Sequence, residues 1–399
     1  MMTEFPRLLV ATEFPPNAAG GGAAIVRQML RDWPADKLFW WSCFPDKNQL
    51  FGRKVAMHRV ASIPPKIYPN KKWRAQKSLL LDLFWLPWAT GHLKKTLDIC
   101  RPDAVWIIPH CWSIPPQARA LLNAQTGFHV SIHDYADVEA AVTRFGEDRT
   151  RQMTAMTKQL YTAATTRDAI CKEMVDDLCQ QTGRDGLIVH AGLEQEDFDY
   201  LSTPPPASGD TIRIAYAGTI IAEKTFAVFV NALGKIRQQL PRPLTLNFFG
   251  DDTYRSRNWF DASWMKEHGS LSSQQLSKAL KECTWGFSPM ELTDENPRYN
   301  RFSLPAKFTS YLGSGLPILT LGHPESTVIK MSARYQVGLA MTGGDTDKLG
   351  GQLLAALGEA DPKSKYRPEI QRCALAEFDA RQMRDSLYEN FTKCANASK

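Results

Sequence analysis

Four polar residues spaced four, three and four apart mark the stretch of this 399-residue chain best suited to chemistry. Ser303, Lys307, Ser310 and Ser314 share one face of a short helix that Pro305 opens and Gly313 and Gly315 end. Leu304, Phe308, Tyr311 and Leu312 occupy the packing side, and Leu316-Pro317-Ile318-Leu319 begins an apolar strand. A lysine on the polar face of a helix that feeds a core strand suits the floor of an anion-binding cleft. Gly20-Gly21-Gly22 lies between an apolar strand, Arg7–Thr12, and an amphipathic helix, Ala23–Trp33. That order aims unpaired backbone N–H groups and the positive helix end at one point, which suits a phosphate. The glycines lack the G-x-G-x-x-G spacing of dinucleotide enzymes. Two strands end in side chains able to reach a ligand: Phe128–His133, followed by Asp134, and Leu244–Phe249, followed by Gly250-Asp251.

These groups are positioned by a regular alternation. In the first half, strands at Leu38–Phe44, Val55–Ala61, Asp103–Ile108 and Gly186–Gly192 alternate with helices at Lys71–Cys100, Pro116–Gln125, Glu147–Ala164 and Ile170–Gln181. Ser202–Asp210 (STPPPASGD) is the clearest composition break and reads as a linker. The pattern then restarts with the strand Ile212–Ala217, the loop Gly218–Glu223 and the helix Lys224–Gln239. It continues through Ser273–Glu282, Thr284–Ser288, Glu325–Arg334, Val337–Met341 and Asp345–Leu357 to a last helix around Leu375–Lys393. The expected fold class is α/β, with two Rossmann-like domains facing a central cleft and ligands at the carboxyl ends of the strands. The expected domains are 1–200 and 209–375, with a helix at 376–399 crossing back onto the first.

A chain this long, 43% hydrophobic, can bury two cores. Its net charge of +6 and pI near 8.8 fit acidic small molecules or anionic lipid and are too weak to argue for nucleic acid. Eight cysteines without a C-x-x-C pair read as reduced thiols in a cytosol. No N-terminal signal is visible, and the apolar run Leu79–Ala89 is about half a membrane span. Residues 66–95 mix Lys66, Lys71, Lys72, Arg74, Lys77, Lys94 and Lys95 with Trp73, Phe84, Trp85 and Trp88. This composition suits peripheral contact with an anionic membrane, or a solvated helix face beside a buried one.

Taken together, Phe14–Ala24 (FPPNAAGGGAA), Ile132–Asp137 (IHDYAD), Ile214–Lys224 (IAYAGTIIAEK) and Leu304–Leu319 (LPAKFTSYLGSGLPIL) resemble the motifs of the GT-B glycosyltransferases, most closely the family 4 type. The last stretch is similar to the variant in which a Pro-Ser-Lys helix precedes a Gly-x-Pro strand. The resemblance implies a retaining, metal-independent transfer of a sugar from a nucleotide-diphosphate donor to a saccharide or lipid-linked acceptor, in polysaccharide or glycoconjugate biosynthesis. It implies no cofactor beyond the donor substrate, and a cytoplasmic place, peripheral at the inner membrane face. His133 and Lys224 match the family's catalytic positions. Gly20, Gly21, Gly22, Gly218, Thr219, Lys224, Asp251, Arg301, Lys307 and Ser310 are the implied donor-binding set.

The chain departs from the family's pattern in three places. Thr219 stands where an arginine is usual, and the paired glutamates eight apart fall on Phe302 and Ser310. Glu291, Asp294 or Glu295 are candidate substitutes for the carboxylate, and Arg298 or Arg301 for the cation. The alternatives are a non-catalytic binding protein or a sugar-nucleotide epimerase of the same fold. Asp197-Phe198-Asp199 and Asp345-Thr346-Asp347 spell the Asp-x-Asp metal pair of the other large glycosyltransferase fold. The first is expected in the turn before the linker, the second as a helix N-cap.

Overall fold

Short apolar runs that must be covered on both faces become the central strands of two parallel sheets. The computed structural model describes residues 4–18, 20–46, 51–68, 73–136, 139–207, 209–295 and 297–398. Ala19, residues 69–72, Asp137 and Ser208, each part of a stretch named above, lie outside the described residues.

The chain divides into two units, Met1–Ala191 with Ala380–Lys399, and Gly192–Asp379. The first begins with β1 (Leu8–Thr12), α1 (Gly21–Met29), β2 (Leu38–Ser42) and β3 (Met57–Val60). α2 (Arg74–Leu80) passes through a π-helical turn, Leu81–Trp85, into α3 (Leu86–Cys100). Then come β4 (Ala104–Ile107), α4 (Ile114–Leu121), β5 (Phe128–Ile132), α5 (Glu139–Phe145) and α6 (Glu147–Ala163). β6 (Thr166–Ala169), α7 (Lys172–Thr182) and β7 (Leu187–Ile188) follow. The seven strands lie in the order β3-β2-β1-β4-β5-β6-β7, every pair parallel.

The second unit opens with α8 (Gln195–Ser202), β8 (Ile212–Ala217), α9 (Glu223–Ile236), β9 (Leu244–Phe249) and a three-residue edge strand, β10 (Met265–Glu267). It continues through α10 (Ser273–Lys281), β11 (Trp285–Pro289), α11 (Pro297–Phe302), α12 (Ala306–Gly313) and β12 (Ile318–Leu321). α13 (Thr327–Tyr335), β13 (Gly338–Met341), α14 (Thr346–Leu357) and α15 (Pro362–Glu377) complete it. Its order is β10-β9-β8-β11-β12-β13, again parallel throughout. Both sheets match the α/β, Rossmann-like reading.

α16 (Ala380–Ala397) belongs to the first unit, packing on β4, β5 and β6. Trp33 meets Tyr388 and Phe391 edge-on at 4.9 and 5.5 Å. The approach is so close that a β-carbon on Gly127 would meet the Cys394 carbonyl oxygen at 2.3 Å.

Four local expectations are corrected. The single last helix around Leu375–Lys393 is two, because Phe378 leaves helical geometry and its carbonyl accepts the Leu193 N–H at 2.6 Å. The Ser202–Asp210 stretch does not divide the contacts: α8 packs on α12 and α15, so the break falls at Ala191/Gly192. Pro297–Phe302, to which the sequence pattern assigned no element, is α11, which Asn300 ties back to the Thr293 carbonyl at 2.8 Å. β10 was missed because three residues carry no periodicity.

Glycine at 286 in β11 makes room for α12: a β-carbon there would lie 2.5 Å from the Tyr311 ring. Gly286→Ala is therefore expected to lower stability in chemical denaturation by about 1–3 kcal/mol through overpacking. Gly234→Ala, inside α9 with open space around its would-be β-carbon, is expected to raise it by roughly 0.5–1 kcal/mol.

Candidate functional site

In the second unit the candidate residues gather where β8 ends. Gly218 adopts a left-handed φ of 85° and donates its N–H to the Phe249 carbonyl at 2.7 Å. A β-carbon on Gly250 would come within 3.4 Å of Gly218 Cα, so the turns after β8 and β9 pass close together. Tyr216, 1% exposed, donates its hydroxyl to the Thr219 carbonyl at 2.7 Å. Lys307 in turn donates from Nζ to Tyr216 Oη at 2.7 Å, and its ammonium lies 4.1 Å from that ring's centroid. Tyr311 of α12 accepts the Ala217 N–H at 2.9 Å. α12 is thus pinned to the end of β8 at two points one helical turn apart. Burial pushes the Lys307 ammonium down to about 7. Tyr216 is pushed up, also by burial.

The other expected donor groups stand apart from this chain of bonds. Lys224, in the first turn of α9, is 86% exposed and pairs loosely with Glu295 at 3.7 Å. Arg301 pairs with Asp294 at 3.0 Å. Two of the candidate substitute carboxylates are therefore already partnered with cations. Ser310 donates its hydroxyl to Ala306 of its own helix at 3.2 Å. Asp251 is exposed after β9. Asp345 caps α14, accepting the Asp347 and Lys348 N–H groups at 2.9 and 3.2 Å, which holds its carboxyl below the usual range. Asp197 was expected in a turn; it lies inside α8 and closes a capping box with the Glu194 N–H at 3.0 Å.

In the first unit Gly20, with φ 109°, is the N-cap of α1. The first N–H groups of that helix lie beside His133, whose Nδ1 would be 3.2 Å from a β-carbon on Gly22. Gly21 has open space. His133 is 8% exposed, and among the described residues its Nδ1 has no hydrogen-bond partner. Burial pushes it down to about 4. It is a neutral imidazole facing the positive end of a helix.

Sequence reasoning missed a second cluster in this unit. Glu13 follows β1; His110 and Cys111 follow β4. His110 Nδ1 lies 2.8 Å from Glu13 Oε2, and the Trp112 N–H donates to Glu13 Oε1 at 3.2 Å. Burial opposes charge on His110, but hydrogen bonds to Cys111 and Glu13 outweigh it and hold the ring well above its ordinary value. The signal was available, because His110 ends an apolar strand just as His133 does. Glu13 also lines a cavity of about 910 Å³ with Asn17, Phe44, Asp46, Tyr68 and Arg144. Tyr216 was missed because, inside an apolar strand, it reads as core.

The two doubly wound units, each with its polar groups at the carboxyl ends of parallel strands, define the GT-B fold. No family model matches the chain, and no curated protein matches its sequence. Among solved structures it is similar to the sucrose-phosphate synthase of Thermosynechococcus elongatus, at TM-score 0.69 and 13% identity, over 98% of this chain and 100% of that one. The α,α-trehalose 6-phosphate synthase of Burkholderia multivorans aligns at TM-score 0.64 and 11% identity, over 99% and 98%. WaaG, a glycosyltransferase involved in lipopolysaccharide biosynthesis, aligns at 0.62 and 13%, over 96% and 99%. At these identities the likeness establishes the fold.

The burial of His133 has a pH consequence. Between about 6.5 and about 4 the unfolded chain binds a proton that the folded imidazole refuses. Stability is therefore expected to fall as pH drops through this window. Denaturation of the wild type and His133→Gln at several pH values checks this: the variant should lose up to one proton's worth of the slope.

Proposed function

We propose that the chain is a glycosyltransferase that moves a sugar, with retention at the anomeric carbon, from a nucleotide-diphosphate sugar to a saccharide or lipid-linked acceptor. The observation that carries this reading is Lys307, a half-buried lysine seated on Tyr216 and tied through it to the Gly218–Thr219 turn. A lysine whose charge is disfavoured gains most from an incoming dianion, which restores that charge. The leaving group of the reaction is such an anion, and its charge grows in the transition state. Cations and N–H dipoles aimed at it therefore accelerate its departure more than a strong base would. Lys224 supplies a second, mobile cation from the start of α9. Within the first unit, the α1 N-terminus at Gly20–Gly22, with neutral His133 beside it, suits a hydrogen bond to an acceptor hydroxyl. With the diphosphate met in this way, the transfer needs no metal ion there. The cavity beside Phe44 and Tyr68, rimmed by Glu13, Asn17, Asp46 and Arg144, suits an acceptor with both apolar faces and hydroxyls.

Thermal melting with a panel of nucleoside diphosphates tests the reading. One of them should stabilise the protein, by about 2.7 kcal/mol at a hundred times its Kd. Lys307→Ala should weaken that ligand by roughly 1.5–3 kcal/mol, about ten- to a hundredfold, as expected for a lost charge-assisted bond. Lys224→Ala and Lys307→Ala should abolish turnover while the fold survives. No shift with any nucleotide removes the basis of the proposal. One observation favours a second reading, a non-catalytic binder: Ser310, where the resembled family carries a carboxylate, spends its hydroxyl on its own helix. Nucleotide binding without hydrolysis of any nucleotide sugar would select that reading.

We also propose peripheral contact with an anionic bilayer through the segment α2–α3. Trp73, Leu79, Leu83, Phe84 and Trp88 are all at least half exposed, beside exposed Arg74, Lys94 and Lys95. Apolar side chains that insert and cations that meet headgroups make an interfacial helix. No helix among the described residues is long and apolar enough to cross a membrane. The protein is expected to float with vesicles containing anionic lipid, less so with Leu83→Ser/Phe84→Ser or at high salt, and not with neutral vesicles. Equal recovery with neutral and anionic vesicles would contradict the contact.

A further inference from the structure

Glu13, His110 and Cys111 each turn one ligand-type atom into the same space, within 4.8 Å of one another. They come from the carboxyl ends of two neighbouring strands, β1 and β4, which pair in register from Leu8↔Ala104 to Ala11↔Ile107. The loop that carries two of them is fixed from several sides. Ser113 Oγ donates to the His110 carbonyl at 2.8 Å and accepts the His110 N–H at 3.1 Å. The Trp112 N–H holds Glu13 Oε1 at 3.2 Å, so the carboxylate is oriented by the same loop that bears its neighbours. Gln117 of α4 anchors the loop's far side to the Ala11 carbonyl at 2.9 Å. Cys111 has a left-handed φ of 44°, a backbone that residues with a β-carbon rarely adopt. Cys111 Sγ lies 3.7 Å from His110 Nε2.

We infer that this cluster is a binding site for a divalent cation of the zinc class. A thiolate, an imidazole and a carboxylate form a donor set that suits borderline-soft ions and not magnesium or calcium, which take oxygen ligands. A tetrahedral ion with bonds of about 2.0–2.3 Å holds its ligand atoms roughly 3.3–3.8 Å apart, so closing the site needs His110, whose Nδ1 now faces Glu13 and whose Nε2 faces Cys111, to give up one of these contacts and turn a single ring nitrogen to the ion. On binding, the Cys111 thiol and the protonated His110 ring each release a proton to water, and sulfur and one ring nitrogen donate to the metal with no change of oxidation state. Three protein ligands leave one position open. Glu13 lines the cavity of about 910 Å³, and His110 and Cys111 line another of about 190 Å³ with Asp134 and Tyr135. The open position is thus available to water or to an oxygen of a ligand entering either cavity. The site lies on the sheet of the first unit and does not rest on the glycosyl-transfer reading, which asks for no ion at the diphosphate.

Cobalt(II) titration of the full-length protein, freed of metal beforehand, tests the inference, with zinc as competitor. The expected result is one cobalt bound per chain with a thiolate-to-metal charge-transfer band that zinc abolishes. Cys111→Ser should lose that band while its circular dichroism and melting remain those of the wild type. His110→Ala and Glu13→Gln should each weaken cobalt by about tenfold or more. Because seven other cysteines are present, the serine variant is decisive. A band that survives in Cys111→Ser, or no band in the wild type, overturns the site.

Discussion

A half-buried lysine without a carboxylate partner among the described residues is the constraint around which the second unit is arranged. Lys307 has Tyr216 beneath it, and no carboxylate pairs with it among the described residues. The tyrosine cannot move: its ring packs edge-on against Phe226 at 4.9 Å, and its hydroxyl is fixed by Thr219. Nor can the helix, because Tyr311 is bonded to the β8 backbone over a glycine at 286 that leaves it space. A lysine so placed is partly desolvated and held by its contacts with Tyr216 at once. Those two properties make an anion site selective, since binding then requires neither reorganisation nor removal of much water.

The first unit obeys the same logic with different residues. Its central strands β1, β2, β4 and β5 are buried throughout, and candidate polar groups follow where such strands end: Glu13 after β1, His110 after β4, His133 after β5. Three of its sheet strands are joined by a chain of buried polar side chains that bond one another. Trp106 donates to Ser131 at 2.7 Å, Ser131 to Asp168 at 2.7 Å, and His129 shares a 2.6 Å bond with the same carboxylate. These links join β4, β5 and β6 beneath α16, a network whose members hold each other and so fix the order of the sheet. His133, one strand end away, has its Nδ1 unpaired among the described residues.

Much of this was legible in the sequence. Runs such as Leu8–Thr12 and Ile318–Leu321 read as buried strands because parallel sheets tolerate no polar face. The polar stripe Ser303, Lys307, Ser310, Ser314 read as one helix face from spacing alone. What the face touches was not legible, since Lys307 meets Tyr216 across 91 residues of chain. Ser310 illustrates the same limit in reverse, its hydroxyl turning to a backbone carbonyl four residues away where spacing suggested a ligand. Glu13 lies in the loop after β1 and was given no role, and its partners lie 97 and 99 residues on. Pairings at that separation are set by sheet order, which periodicity does not encode.

The central claim is that Lys307 waits part-discharged for an anion. Calorimetric titration of the stabilising nucleoside diphosphate at pH 8, in two buffers of different ionisation enthalpy, counts the protons taken up on binding. With a lysine at about 7 restored to full charge by the ligand, the account predicts uptake approaching one proton, absent in Lys307→Arg. Binding with no proton uptake, or with the same uptake in Lys307→Arg, would contradict it.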